Sequence, residues 1–235
     1  MKKVAIVTGG SSGIGEATVR ELTKRGWQVA SMTRSGKEFA GDVAQDVDCK
    51  RVAKAVIDKW GRIDALVNNA GTTKAVPHPD LEGLNAEDFE RIFRMNVVGP
   101  FQMARACAAA LKSSKGAIVN VSSVASVLGT GSSVAYAASK AALETMSFSL
   151  ARSLAPEVRV NVVAPGHTRT PWHEAMRGAA GAAEVEKRYE SVAPLKAVAE
   201  SEDVADAIVW LIEGARRVTG EIIYVDGGMH IATPR

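Results

Sequence analysis

Thr8-Gly9-Gly10-Ser11-Ser12-Gly13-Ile14-Gly15 follows directly on a short β-branched run at 4–7 and opens a segment of helical period at 13–25. A glycine-rich turn between a strand and a helix is the context a phosphate-binding loop requires. Glycines tolerate positive φ and bring the backbone close to a pyrophosphate, while the helix N-terminus beyond presents oriented N–H groups and partial positive charge. The spacing is G-x-x-x-G-x-G rather than the more common G-x-G-x-x-G. Taken alone, the run Gly9, Ser11, Ser12, Gly13, Ile14 and Gly15 fits a dinucleotide site or merely a tight turn.

Outward from this turn, apolar runs at 4–7, 28–33, 39–43, 63–67, 117–121, 159–163 and 221–225 alternate with helical segments at 13–25, 49–60, 86–113, 134–155 and 201–213. That alternation predicts βαβ units and, with right-handed crossovers, a doubly wound Rossmann-type α/β fold: a parallel seven-stranded sheet with helices on both faces. The link from Thr33 to Phe39 is too short for a helix and is expected to be a bare loop. No repeat or Pro/Ser-rich linker divides the chain, so residues 1–235 are expected to form one domain. The stretch at about 165–195 reads as irregular, as a substrate lid would be.

The composition excludes several functions. Of 235 residues 46% are hydrophobic and 23% charged, and 29 basic against 26 acidic residues leave a charge of +3 without like-charge runs, so neither nucleic acid nor anionic lipid is an expected partner. No apolar stretch approaches the roughly 18 residues of a membrane span, and the residues after Met1-Lys2-Lys3 are too few for a signal-peptide core. Cys49 and Cys107 lie far apart, unlike a secreted disulfide framework. A cytoplasmic protein is expected. His78, His167, His173 and His230 show no metal-ligand spacing, so no metal site is expected.

The second strand run ends in Thr33-Arg34-Ser35, where an NAD site usually places a carboxylate for the ribose hydroxyls. A guanidinium between two hydroxyls suits a 2′-phosphate instead, which favours NADP(H) and leaves NAD(H) open. Ser12 brings no second positive charge, and a solvated surface role for Arg34 is the alternative. Asp42 and Val43 suit an adenine, the carboxylate accepting from its exocyclic amine. Asn68-Asn69-Ala70-Gly71 ends a strand at the carboxyl edge, where small residues let the chain pass a ribose; two adjacent Asn also serve as plain turn formers.

Tyr136-Ala137-Ala138-Ser139-Lys140 puts a phenol and an amine at i and i+4 on one helix face. A neighbouring ammonium is expected to draw the phenol pKa down from about 10 toward neutrality. Ser123 closes a strand thirteen residues earlier and can meet that helix at the sheet edge, its hydroxyl holding a carbonyl oxygen. A core tyrosine beside a snorkelling lysine is the alternative.

Through Thr8-Gly9-x-x-x-Gly13-x-Gly15, Asn68-Asn69-Ala70-Gly71, Ser123, Tyr136-x-x-x-Lys140 and Pro165-Gly166-x-Thr168-x-Thr170, the chain resembles the short-chain dehydrogenase/reductase family over nearly its whole length. The resemblance implies that Tyr136 donates and accepts the proton, Lys140 binds the nicotinamide ribose and Ser123 positions the carbonyl. It also implies that Asn96 holds a water in the proton relay, Pro165, Gly166 and Thr168 receive the carboxamide, and Thr170 lies near the pyrophosphate. A homotetramer through helices 86–113 and 134–155 is implied as well.

Within the family the chain is similar to 3-oxoacyl-(acyl-carrier-protein) reductases. Ser114 and Pro156-Glu157, however, stand where carrier-dependent members offer arginines, and Lys112 and Lys115 replace them only in part. The expected reaction is NADP(H)-dependent reduction of a ketone or 3-oxoacyl group. The alternatives are NAD(P)+-dependent oxidation of a sugar, polyol or steroid alcohol, and a cofactor-binding regulator without turnover. In the lid segment, His167, Arg169, Trp172, His173, Met176 and Arg177 could grip a polar or anionic small molecule, or Trp172 and Met176 could simply pack the lid down.

Overall fold

The computed structural model describes residues 1–36 and 38–232, with Arg177 described by its backbone alone. Six strands, β1 (Val4–Thr8), β2 (Gln28–Met32), β3 (Ala65–Asn68), β4 (Ala117–Val121), β5 (Arg159–Pro165) and β8 (Ile222–Val225), form one parallel sheet in the order β2-β1-β3-β4-β5-β8. The two-residue strands β6 (Thr168–Arg169) and β7 (Ala199–Glu200) pair separately.

Alternate side chains of the central strands enter opposite layers, as the period of two requires. Val4, Ile6, Leu66 and Ile118 pack with residues of α2 (Asp46–Trp60), α4 (Gly99–Ser114) and α6 (Val134–Leu154). Ala5, Val7, Val67 and Val119 pack with residues of α1 (Gly13–Lys24) and α8 (Ser201–Glu213). Both faces are covered, which is why the central strands read as continuous apolar runs.

Three expectations need correction. The run 39–43 is not a seventh strand: it contributes one bridge, Ala40 to Thr33. A parallel neighbour needs a crossover of a dozen or more residues, and the five between Thr33 and Phe39 are too few. Phe39 instead tucks under the sheet edge against Trp60, ring centroids 5.5 Å apart.

The segment 86–113 is not one α-helix. It runs as α3 (Ala86–Phe93), a π-helical turn at Arg94–Val98, and α4. Pro100 has no N–H to give the carbonyl of Asn96, so the α ladder fails there and wider i to i+5 bonding takes over.

The segment 165–195 is largely helical: α7 spans Pro171–Val192 with a break at Gly178 (φ 70°, ψ 166°). Pro171 suits a first helical turn, and the alanines outweigh the two internal glycines. Between β4 and α6 lies the short helix α5 (Ala125–Leu128). No helix among the described residues is long and apolar enough to cross a membrane.

Candidate active site

The carboxyl ends of β1 to β5 open into a cleft of about 2150 Å³. Its floor is the glycine turn. Gly9 has φ 67°, and a Cβ there would lie 3.0 Å from the Ala70 Cα. Gly15 sits beneath the turn rather than in the cleft; a Cβ on it would come 2.2 Å from the Gly9 carbonyl oxygen. Its glycine therefore keeps the helix packed against the loop. Ser11, Ser12, Gly13 and Ile14 face the cleft, and Ser12 caps α1 without a side-chain hydrogen bond of its own. Free N–H groups at this helix start and uncommitted hydroxyls make the turn a fitting cradle for a dinucleotide's phosphates.

At one end of the cleft stand Thr33, Arg34, Ser35, Asp42 and Val43. Arg34 is exposed and has no ion-pair partner among the described residues. Asp42 is partly committed, since its Oδ1 accepts from the Ala44 N–H at 2.9 Å.

In the middle, Ala70 and Gly71 line the wall, but Asn68 does not reach it. Its amide is buried between strands, donating to Asn120 Oδ1 at 2.8 Å, so its role is structural. The residue that braces the glycine turn is Asn69, whose Nδ2 donates to the carbonyls of Thr8 and Gly9 at 3.1 Å each. Thr8 Oγ1 accepts in turn from the backbone N–H groups of Asn69 and Ala70, both at 3.1 Å. The sequence signal for Asn69 is its place in Asn68-Asn69-Ala70-Gly71 at a strand end.

At the far end Tyr136, Lys140 and Ser123 converge. The Ser123 hydroxyl neighbours the Tyr136 phenol closely enough to favour its ionised form. Lys140, 5% exposed, donates from Nζ to the Val121 carbonyl at 2.8 Å and stands 5.6 Å from the Tyr136 ring centroid. The depressed phenol expected from the sequence is not found: burial pushes Tyr136 up to about 12, opposed by the neighbouring Ser123 hydroxyl. The lysine is the group that moves down, to about 8, because burial disfavours its charge while Glu144 opposes the shift.

Asn96 is buried behind this group. Its Oδ1 accepts from the Thr72 N–H at 2.8 Å, and its Nδ2 donates to the Thr72 carbonyl at 2.9 Å and to Ser139 Oγ at 3.0 Å. Pro165, Gly166, Thr168 and Thr170 line the opposite wall.

The outer rim carries His78, Trp172, His173, Met176 and Arg188. Trp172 keeps 40% of its surface exposed, while Met176 one turn on is half-buried. Arg169 points into a carboxylate cluster of Glu186, Glu190 and Glu200 that ties α7 to the start of α8, and so does not serve as a substrate grip. The His167 and His173 rings stand 4.1 Å apart.

The family model described as enoyl-(acyl carrier protein) reductase matches residues 9–230. The ketoacyl reductase 2 named for the granaticin polyketide synthase of Streptomyces violaceoruber is 37% identical, with 97% of this chain and 96% of that protein covered. A solved structure described as a short-chain dehydrogenase/reductase from Burkholderia xenovorans superposes with a TM-score of 0.88 at 36% identity, covering 98% of both chains. ElxO with NADP bound has a TM-score of 0.88 at 26% identity over 97% of this chain and 99% of that one. The 3-ketoacyl-(acyl-carrier-protein) reductase of Brucella melitensis, complexed with NADH, has a TM-score of 0.86 at 27% identity over 97% and 98%.

Proposed function

The chain belongs to the short-chain dehydrogenase/reductase family, and on that premise we propose that it reduces a ketone or 3-oxoacyl group to a secondary alcohol with NADPH, Tyr136 supplying the proton. The observation that carries this reading is the meeting of Ser123, Tyr136 and the buried Lys140 at the end of the cleft whose floor is the glycine turn. A bound nicotinamide would supply the hydride. Tyr136 then gives its phenolic proton to the carbonyl oxygen, and hydride plus proton complete the alcohol. Ser123 holds that oxygen beside the phenol.

A phenol pushed up to about 12 keeps its proton at neutral pH, which suits the reductive direction; oxidation would first need a phenolate. Lys140 would hold the ribose, with Asn96 fixing the Thr72 backbone and Ser139 behind the tyrosine. Gly166 and Thr168 would receive the carboxamide, and Thr170 would border the phosphates.

NADP(H) is favoured over NAD(H) because Arg34 is exposed, uncommitted and on the cleft rim. Exposed Phe89, Val98, Phe101 and Val134 on α3, the π turn, α4 and α6 support a homotetramer built through these helices. Two buried free thiols, Cys49 and Cys107, support a reducing, cytoplasmic location. Initial rates with NADPH on a ketone panel and with NAD+ or NADP+ on the matching alcohols test the reading: ketone reduction with NADPH should be fastest. Faster alcohol oxidation with NAD+ would overturn it.

A further inference from the structure

Glu144 is an acid in a place where an acid is expensive. It lies on α6 one turn beyond Lys140 and is 9% exposed. Burying a carboxylate requires partners that satisfy its oxygens. Lys140 is not that partner, since its ammonium donates to the Val121 carbonyl. The partners are two serines on either side of Ser123. Glu144 Oε1 accepts from Ser122 Oγ at 2.7 Å and lies 2.6 Å from Ser126 Oγ.

Ser126 also faces the Ser123 carbonyl oxygen at 2.7 Å, so its single hydroxyl proton is divided between that carbonyl and the carboxylate. Ser123 Oγ in turn accepts from the Ala125 N–H at 3.2 Å. The turn from the end of β4 into α5 is thus tied at both ends to one carboxylate oxygen, with the Ser123 hydroxyl at its middle. Backbone bonds from the Ser122 and Val124 N–H groups to the carbonyls of Val163 and Pro165, at 2.7 and 2.9 Å, hold the main chain beside β5, and the side-chain acceptor adds a second hold from the α6 side.

We propose that Glu144 is a positioning residue: by gripping Ser122 and Ser126 it holds the Ser123 hydroxyl at the Tyr136 phenol, the arrangement on which the proposed reduction rests. Its effect on turnover passes through Ser123 and depends on an acceptor oxygen rather than on a negative charge. Glu144→Gln keeps such an oxygen and Glu144→Ala does not.

The test is a set of variants measured for kcat, KM for the ketone and NADPH affinity by fluorescence titration. Glu144→Ala should lower kcat about tenfold or more with NADPH affinity kept, the scale of loss that small misplacements in an active site produce. Glu144→Gln should stay within about threefold of the parent, because its amide oxygen accepts from the same two hydroxyls. Ser126→Ala removes one arm without emptying the site, and should lower kcat several-fold if Glu144→Ala does not fold.

The decisive arm is Ser123→Ala: added to it, Glu144→Ala or Ser126→Ala should cause no further loss of kcat. Full loss in that background, a Gln variant as impaired as Ala, or a loss confined to NADPH binding would overturn the proposal. A Ser123→Ala enzyme as active as the parent would instead overturn the reading of the site on which the proposal stands.

Discussion

Replacing Lys140 with methionine should make the protein more stable at neutral pH while silencing it. The lysine is buried, and its pKa falls from the ordinary 10.5 to about 8. At about 1.36 kcal/mol per pH unit, that difference sets a stability penalty of about 3 kcal/mol for holding the ammonium inside.

The sign follows from the depressed folded value of a base. The penalty is complete below pH 8, shrinks as pH rises through the folded pKa and is gone above the unfolded pKa near 10.5. Methionine fills similar space and removes the penalty, but leaves the Val121 carbonyl without the lysine's 2.8 Å hydrogen bond. That loss costs about 1–3 kcal/mol. The net gain at pH 7 is about 1 kcal/mol, or about 2–4 °C in a chain of this size.

By pH 9.5 the penalty on the parent has fallen to about 1.5 kcal/mol, so the advantage of the variant should vanish or reverse. Thermal melts of both proteins at pH 7 and 9.5, at one protomer concentration and without nucleotide, read this directly. A melting-temperature gap that stays constant or widens with pH would refute the reasoning, because every other titrating group is common to both proteins.

Arg34→Asp should lower kcat/KM for NADPH by about 10–100-fold and leave NADH within about threefold, the range expected for losing a charge-assisted phosphate contact; a steady-state comparison of the two nucleotides checks it. Gly15→Ala drives a Cβ to 2.2 Å from the Gly9 carbonyl and 2.5 Å from Asn69 Nδ2. Backbone must shift to admit it, so binding of both nucleotides should weaken and stability should fall by about 1–3 kcal/mol, measurable by titration and denaturant melts.

Much of this was legible in the chain because the glycine turn, the strand ends and the Tyr136–Lys140 spacing are local features. Period and punctuation report them directly. The failures came from constraints that act across the fold. The run 39–43 has strand composition, but the short link from Thr33 limits it to a single parallel bridge at the end of β2. The π turn at Asn96 follows from Pro100 four residues on, a hydrogen-bond deficit that hydrophobic period does not register. The helix in 171–192 was hidden by Gly178 and Gly181, which weaken a helix without forbidding one. Asn68 and Asn69 differ in role only because β3 turns one inward and the other toward the cleft. The Tyr136 and Lys140 shifts depend on burial, which spacing cannot reveal. Glu144 carries no motif; only the folded chain brings it to Ser122 and Ser126.

The central claim is that the Tyr136 phenol gives its proton to a substrate oxygen. Tyr136→Phe removes one hydroxyl and nothing of the ring, so NADPH affinity by calorimetry and ketone reduction by nicotinamide absorbance can be compared in one variant. Nucleotide affinity within about threefold of the parent, with reduction slowed about a thousandfold, is the predicted result. Reduction at a rate close to the parent's would contradict it.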